Sequence, residues 1–337
     1  MIGLSPSEAL RAGALMRGAV HDLELSLSGL TVLTEVGSRH FQLTPLLAVM
    51  ANAKRVYAWA RDSSYGDCET LIRECEVLAD KVCVDRRRIV FAANERPRMH
   101  IQEADIITNL GAVRPINADF LMNAKRGNAA IPLMYEAWEF RGEDVDLETA
   151  RRQGIRVAGT FENHPSIRVF DYCGPLAMKM AFEGGYEVLG NNIIVWSDDP
   201  FGDVIERAFL AGGAAKVLKT VDPRVALENI ASTDFMYFCD YSEQREIVGE
   251  DGLFTPSSLA ERNPSLGIIH LFGHVNPELV KRHNLSVYPD RKGYASKMSF
   301  TLAHSGLTPI VRFLTAGLKV GEALRNGIAN PLCQPFV

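Results

Sequence analysis

From about Gly29 onward, short apolar runs alternate with longer stretches whose apolar positions recur at helical spacing. Leu30 to Thr34, Arg55 to Ala60, Arg88 to Ala92, Asp105 to Asn109 and Ile155 to Ala158 read as strands. Thr44 to Ala53, Cys68 to Lys81 and Leu147 to Gln153 read as helices, the last ending at Gly154. A long helix from Val169 to Glu183 leads into a second series. Its strands are Asn191 to Trp196, Lys216 to Lys219, Phe235 to Cys239 and Gly267 to Leu271. Helices are expected at Asp203 to Leu210 and Pro309 to Leu324. Strands alternating with helices predict parallel sheets, so the expected architecture is α/β, with two parallel-sheet lobes and a cleft between them. Ahead of both, Ser5-Pro6-Ser7-Glu8 supplies an N-cap, a first-turn proline and a capping-box acid, which predicts an N-terminal helix. The pattern divides the chain into a helix at 1–28, one lobe from 29–168 plus 300–337, and a second lobe at 169–299.

Composition narrows the classes without naming one. Hydrophobic residues make up 47% of the 337, enough for a proper core and against disorder. Net charge is -5, and no basic stripe points to nucleic acid or an anionic membrane. No apolar run reaches the ~18 residues a membrane helix needs, and the first residues lack a signal peptide's plan. The six cysteines include no CxxC pair, and no histidine lies at ligand spacing from Cys68, Cys75 and Cys83. Structural thiols in a reducing, cytoplasmic setting follow, with no metal expected.

The most informative segment is Val195-Trp196-Ser197-Asp198-Asp199-Pro200-Phe201-Gly202, between a strand and a helix. A dinucleotide-binding Rossmann turn places glycine where this chain has Ser197, Asp199 and Gly202. Only Gly202 remains. A pyrophosphate on the helix N-terminus would gain from the helix dipole but meet the carboxylates of Asp198 and Asp199. Two readings stay open: the turn has closed its anion site and caps itself, or the acids hold ribose hydroxyls or a cationic ligand.

Several further stretches resemble one family. Gly142-Glu143-Asp144-Val145-Asp146-Leu147, followed by Ala150-Arg151-Arg152-Gln153-Gly154-Ile155-Arg156-Val157, resembles the G-x-D-x-V-D-x-x-A-x-x-R-G-I-x-V segment of D-2-hydroxyacid dehydrogenases. Val169-Phe170-Asp171 resembles that family's V-A-E, and Ala303-His304-Ser305-Gly306-Leu307-Thr308 its P-H-I-G-G-x-T. Gly273-His274-Val275-Asn276-Pro277-Glu278 and Val221-Asp222-Pro223 are similar to segments of the related adenosylhomocysteine hydrolases. The resemblance implies two Rossmann- or flavodoxin-like lobes, NAD or NADP as cofactor, a small-molecule substrate and a homodimer, to which the N-terminal helix would add.

It also implies roles. His304 would be the acid/base at a substrate oxygen, with Asp171 retained from the hydrolases and Asp290 as the candidate partner acid. Ser197, Asp199, Phe201, Gly202, Lys219, Thr220 and His274 fall at cofactor-binding positions, where Thr220 replaces the ribose acid and Lys219 suits a 2′-phosphate. Phe272 stands where the dehydrogenases have their carboxylate-clamping arginine, and phenylalanine makes no bidentate contact. His40 and Arg114, after strands of the first lobe, are candidate substrate-binding residues. Three functions therefore stay open: an NAD(P)-dependent oxidoreductase acting on a small carbonyl or hydroxy metabolite, a non-redox transferase or lyase, and a non-catalytic ligand-binding homodimer.

Overall fold

The computed structural model describes residues 4–64 and 66–336. The chain forms two compact units, residues 1–169 with 306–337, and residues 170–305. The first unit holds a seven-stranded sheet. Its spatial order is Cys333–Pro335, Arg156–Thr160, Ala130–Pro132, Ile106–Ile107, Thr31–Glu35, Arg55–Ala60 and Ile89–Ala93. Neighbours pair in parallel, except that Cys333–Pro335 runs antiparallel to Arg156–Thr160. Counted along the chain, the parallel strands lie 6-5-4-1-2-3, which is doubly wound. Every residue of Thr31–Glu35 is buried, the polar Thr31, Thr34 and Glu35 included, so the strand shows no alternation of buried and exposed positions.

Ser5 and Glu8 form the predicted capping box of helix Pro6–Asp22. This helix buries Ala9, Ala12, Gly13, Met16 and Ala19, a stripe of mostly small residues that lets it lie close against helix Leu307–Asn326. The latter packs on the strands Ala130–Pro132 and Arg156–Thr160 and stops at Gly327, whose φ of 67° suits glycine as a helix terminator.

The second unit holds five parallel strands in the order Ser286–Tyr288, Gly267–His270, Phe235–Phe238, Asn192–Trp196 and Lys216–Thr220. Its core is aromatic: Trp196, Phe235, Tyr237, Phe238 and Phe254 are all fully buried. Along the chain the strand order is 5-4-3-1-2, so it reverses between Asn192–Trp196 and Phe235–Phe238. The corresponding reversal in the first unit lies between Thr31–Glu35 and Ile106–Ile107. At such points the connections leave toward opposite faces, and the carboxyl ends of the two strands border a crevice. Among the described residues no helix is long and apolar enough to cross a membrane.

The expected helix from Val169 is in fact a 3-10 turn, Phe170–Tyr172, followed by an α-helix, Cys173–Glu183. Strands Ala130–Pro132, Glu246–Val248, His274–Val275, Ser286–Tyr288 and Cys333–Pro335 carry too few residues for a readable period.

Candidate functional site

Helix Pro200–Ala211 begins with Asp199 as its N-cap and proline at its first position. The Asp199 Oδ1 accepts hydrogen bonds from Ser197 Oγ at 2.9 Å, Phe201 N at 2.9 Å and Gly202 N at 3.4 Å. Its Oδ2 accepts Tyr241 N at 2.6 Å, reaching across the strand-order reversal. Asp240 reciprocates. Its Oδ2 accepts Asp198 N at 3.0 Å, and its Oδ1 accepts the amides of Ser242 and Glu243, each at 2.9 Å. Burial pushes the Asp199 carboxyl above its ordinary value and the Asp240 charge adds to this, while the hydrogen bonds from Tyr241, Ser197 and Gly202 pull back. Gly202 is required by sterics: a Cβ there would stand 2.6 Å from Ser197 Cβ.

A bound pyrophosphate draws on the amides at the start of this helix. Here those amides already serve a carboxylate of the chain itself, so the anion site is occupied from within. Above it, the Phe201 ring packs against Phe170 at 4.7 Å and Phe272 at 5.0 Å between centroids, and Tyr241 meets Phe272 at 5.5 Å. Phe272, in the place of the expected arginine, is thus a buried member of an aromatic cluster. At the ribose end, Lys219 is paired with Asp203, and Thr220 Oγ1 accepts Asp222 N at 3.0 Å. The residues of the turn do not fit a dinucleotide held in the usual way.

His304 has a different environment. Its Nε2 lies 2.7 Å from Oε2 of Glu183, and its ring stacks on Phe300 with centroids 4.1 Å apart and planes at 11°. The Tyr288 hydroxyl donates to the same Glu183 oxygen at 2.6 Å. Lys179, one helical turn before Glu183, stands 3.7 Å from its Oε1 and donates to the His304 carbonyl at 2.9 Å. A carboxylate at the last residue of a helix opposes the helix dipole, so Glu183 is held there by its donors. Burial alone would raise it; the hydrogen bonds from Tyr288 and His304 and the charges of His304 and Lys179 hold it below its ordinary value. Tyr288 is pushed up to about 12, by burial first and then by donating to Glu183, so its phenol stays protonated. Asp290, the expected partner acid, pairs with Lys281 instead. Asp171 lies in the 3-10 turn, and His274 opens a two-residue strand with its ring edge-on to Tyr294.

In the first unit, Arg114 does not serve as a free anion clamp. Its Nη1 bonds both oxygens of Asp144 at 3.1 and 2.9 Å, and Asp144 also receives Arg141 and the Tyr135 hydroxyl. His40 is buried in the turn Arg39–Gln42; burial lowers its pKa, and the Arg39 charge lowers it further. Two positions that carried no sequence signal now stand out. Glu35, at the end of its strand, is 9% exposed and, among the described residues, accepts only Ala112 N, at 2.8 Å. Asn109, at the matching position after the neighbouring strand, accepts Met134 N through Oδ1, while its buried Nδ2 has no partner among the described residues.

The chain is built of two doubly wound units, one of them completed by segments that precede and follow the other in sequence. The solved structures similar to this chain agree. One is a dipicolinate synthase chain from Bacillus halodurans, at 10% identity and TM-score 0.55, covering 89% of this chain and 99% of that one. A 2-hydroxyacid dehydrogenase from Ketogulonicigenium vulgare matches at 13% identity and TM-score 0.52, covering 92% and 99%. A D-isomer specific 2-hydroxyacid dehydrogenase from Lactobacillus delbrueckii ssp. bulgaricus, in its NAD complexed form, matches at 10% identity and TM-score 0.50, covering 90% and 99%. No protein-family model matches the chain, and no curated protein matches its sequence. The fold of the chain is therefore the one these three structures share.

Proposed function

We propose that this chain is an acid–base enzyme on the dehydrogenase scaffold, acting on a small metabolite that bears a carbonyl or hydroxyl group, with His304 as the proton carrier. The observation that carries this reading is the 2.7 Å pairing of His304 Nε2 with Glu183. A carboxylate on one ring nitrogen fixes the tautomer, leaving Nδ1 to give a proton to a substrate oxygen or take one from it. Stacking on Phe300 holds the ring plane. The Asp199 turn favours a non-redox reaction such as a lyase-type proton transfer. The second reading is an NAD(P)-dependent oxidoreductase, and it rests on the shared fold, which includes an NAD-complexed relative in structure.

The test is proton exchange in heavy water with a panel of 2-oxo and 2-hydroxy acids, without nicotinamide, followed by proton NMR. The expected result is loss of a C–H signal next to the carbonyl of at least one panel member, slowed about 10²- to 10⁴-fold in His304→Asn. Exchange that is absent across the panel, or unchanged in the variant, overturns the proposal. Micromolar binding of NADH or NADPH by the wild-type protein would move the assignment to the second reading.

A further inference from the structure

Outside the regions described so far, the first unit carries a group of three glutamates at the carboxyl ends of two neighbouring parallel strands. Glu136 follows strand Ala130–Pro132, Glu139 ends the 3-10 turn beyond it, and Glu162 follows strand Arg156–Thr160. All three are buried, at 5%, 9% and 7% exposure. Glu136 is fixed by neutral donors: Asn163 N reaches its Oε1 at 3.0 Å, and Trp138 Nε1 reaches its Oε2 at 2.9 Å. Glu139 Oε2 accepts Glu136 N at 3.0 Å. The Glu162 carboxylate has no hydrogen-bond or ion-pair partner among the described residues.

A buried carboxylate without a partner is costly, and here the groups that act on it electrostatically are two further acids. Burial first, and then the Glu139 and Glu136 charges, push Glu162 well above its ordinary value. Native structures seldom leave such a group uncompensated unless something else meets it. No lysine or arginine is bonded to Glu136 or Glu162 among the described residues. Nor does any group of histidine, cysteine, aspartate or glutamate there have the arrangement to hold a metal ion. Beside the acids lies the indole of Trp138, 39% exposed and anchored through its N–H on Glu136, and an indole face attracts an organic cation. Carboxyl edges of parallel strands are also where ligands of such sheets bind.

We infer that Glu162, with Glu136 and Trp138, forms a binding site for the primary ammonium group of a small metabolite. The ammonium hydrogens bond the Glu162 carboxylate, Glu136 adds a second negative charge, and the indole covers the cation. This site stands on residues of the first unit alone, so it survives or fails independently of the role given to His304.

The probes are n-butylamine, putrescine and agmatine at constant ionic strength, with n-butanol, potassium and magnesium as controls. The readout is the indole N–H resonance of Trp138. The expected result is a saturable shift with at least one amine and none with n-butanol, weakened tenfold or more in Glu162→Gln. Glu136→Gln is the second variant and is expected to weaken binding less, while displacing the Trp138 resonance even without amine. The inference is overturned if no amine acts, if potassium or magnesium reproduces the shift, or if Glu162→Gln binds as well as the wild type.

Discussion

In both units an acid near the end of the first strand accepts an amide from across the strand-order reversal. Glu35 takes Ala112 N at 2.8 Å, and Asp199 takes Tyr241 N at 2.6 Å. Beyond that shared bond the two edges diverge. Asp199 accepts three more donors, and the ring of Phe201, two residues on, packs against Phe272. Among the described residues of the first unit, Glu35 accepts nothing else, Asn109 keeps a buried amide nitrogen without a partner, and Glu162, at 7% exposure, has no donor. Related topologies thus give one edge where an acid and the amides around it satisfy one another and one where Asn109 Nδ2 and the Glu162 carboxylate have no partner among the described residues, although the second unit also buries Trp196 Nε1 without one. The geometry of a nucleotide fold is not a nucleotide site, because the donors must also be free.

The comparison breaks most visibly at the aromatic cluster. Phe272→Ala leaves a cavity beneath Phe201 and Tyr241, and is expected to cost about 3–5 kcal/mol, read by chemical denaturation. A loss under about 1 kcal/mol would mean that the rings do not seal the edge. Asp199→Ala leaves the amides of Phe201, Gly202 and Tyr241 without their acceptor, and should cost roughly 3 kcal/mol. Amide exchange at those three residues should accelerate together; if only Phe201 and Gly202 respond, the bond across the reversal is not part of the seal.

Glu162→Gln has the opposite sign. An acid whose native pKa is raised keeps a proton that the unfolded chain has already released, so the native state becomes less favourable as pH rises above the ordinary carboxylate range near about 4. Below that range both states are protonated and the variant should match the wild type. By neutral pH the variant should be more stable by about 1–3 kcal/mol, measured as denaturation midpoints across pH. A variant less stable at neutral pH would show that Glu162 already has a compensating partner.

Much of the fold was legible because its long elements follow one period. Helices Cys68–Lys81 and Leu147–Gln153 and strand Arg55–Ala60 have the bounds read from the pattern. Leu307–Asn326 differs from its expected span by two residues at each end, where capping decides. The site was less legible for a different reason. The expectation of a self-capping Asp199 needed only its own neighbours, Pro200 to Gly202, and the geometry is of that kind. Glu183 lies 121 residues from His304, on a helix whose end gives no hint of a histidine. Glu136 and Glu162 meet because two strands pair in parallel, a long-range contact that no local spacing encodes. Asn109 reads as an ordinary strand-end residue until the absence of a partner for its side chain is seen.

The strand Cys333–Pro335 and helix Leu307–Asn326, which finish the first sheet, come later in the chain than the whole of the second unit. During synthesis the second unit therefore leaves the ribosome with every strand it needs. The first waits, with Arg156–Thr160 presenting an unpaired edge and with the surface later covered by the long helix still bare. Such an exposed strand invites pairing with another chain. A translational pause or a premature stop after residue 305 would leave this intermediate exposed, making the protein's yield sensitive to interruptions in the segment that follows, which carries the closing helix and edge strand of the first unit.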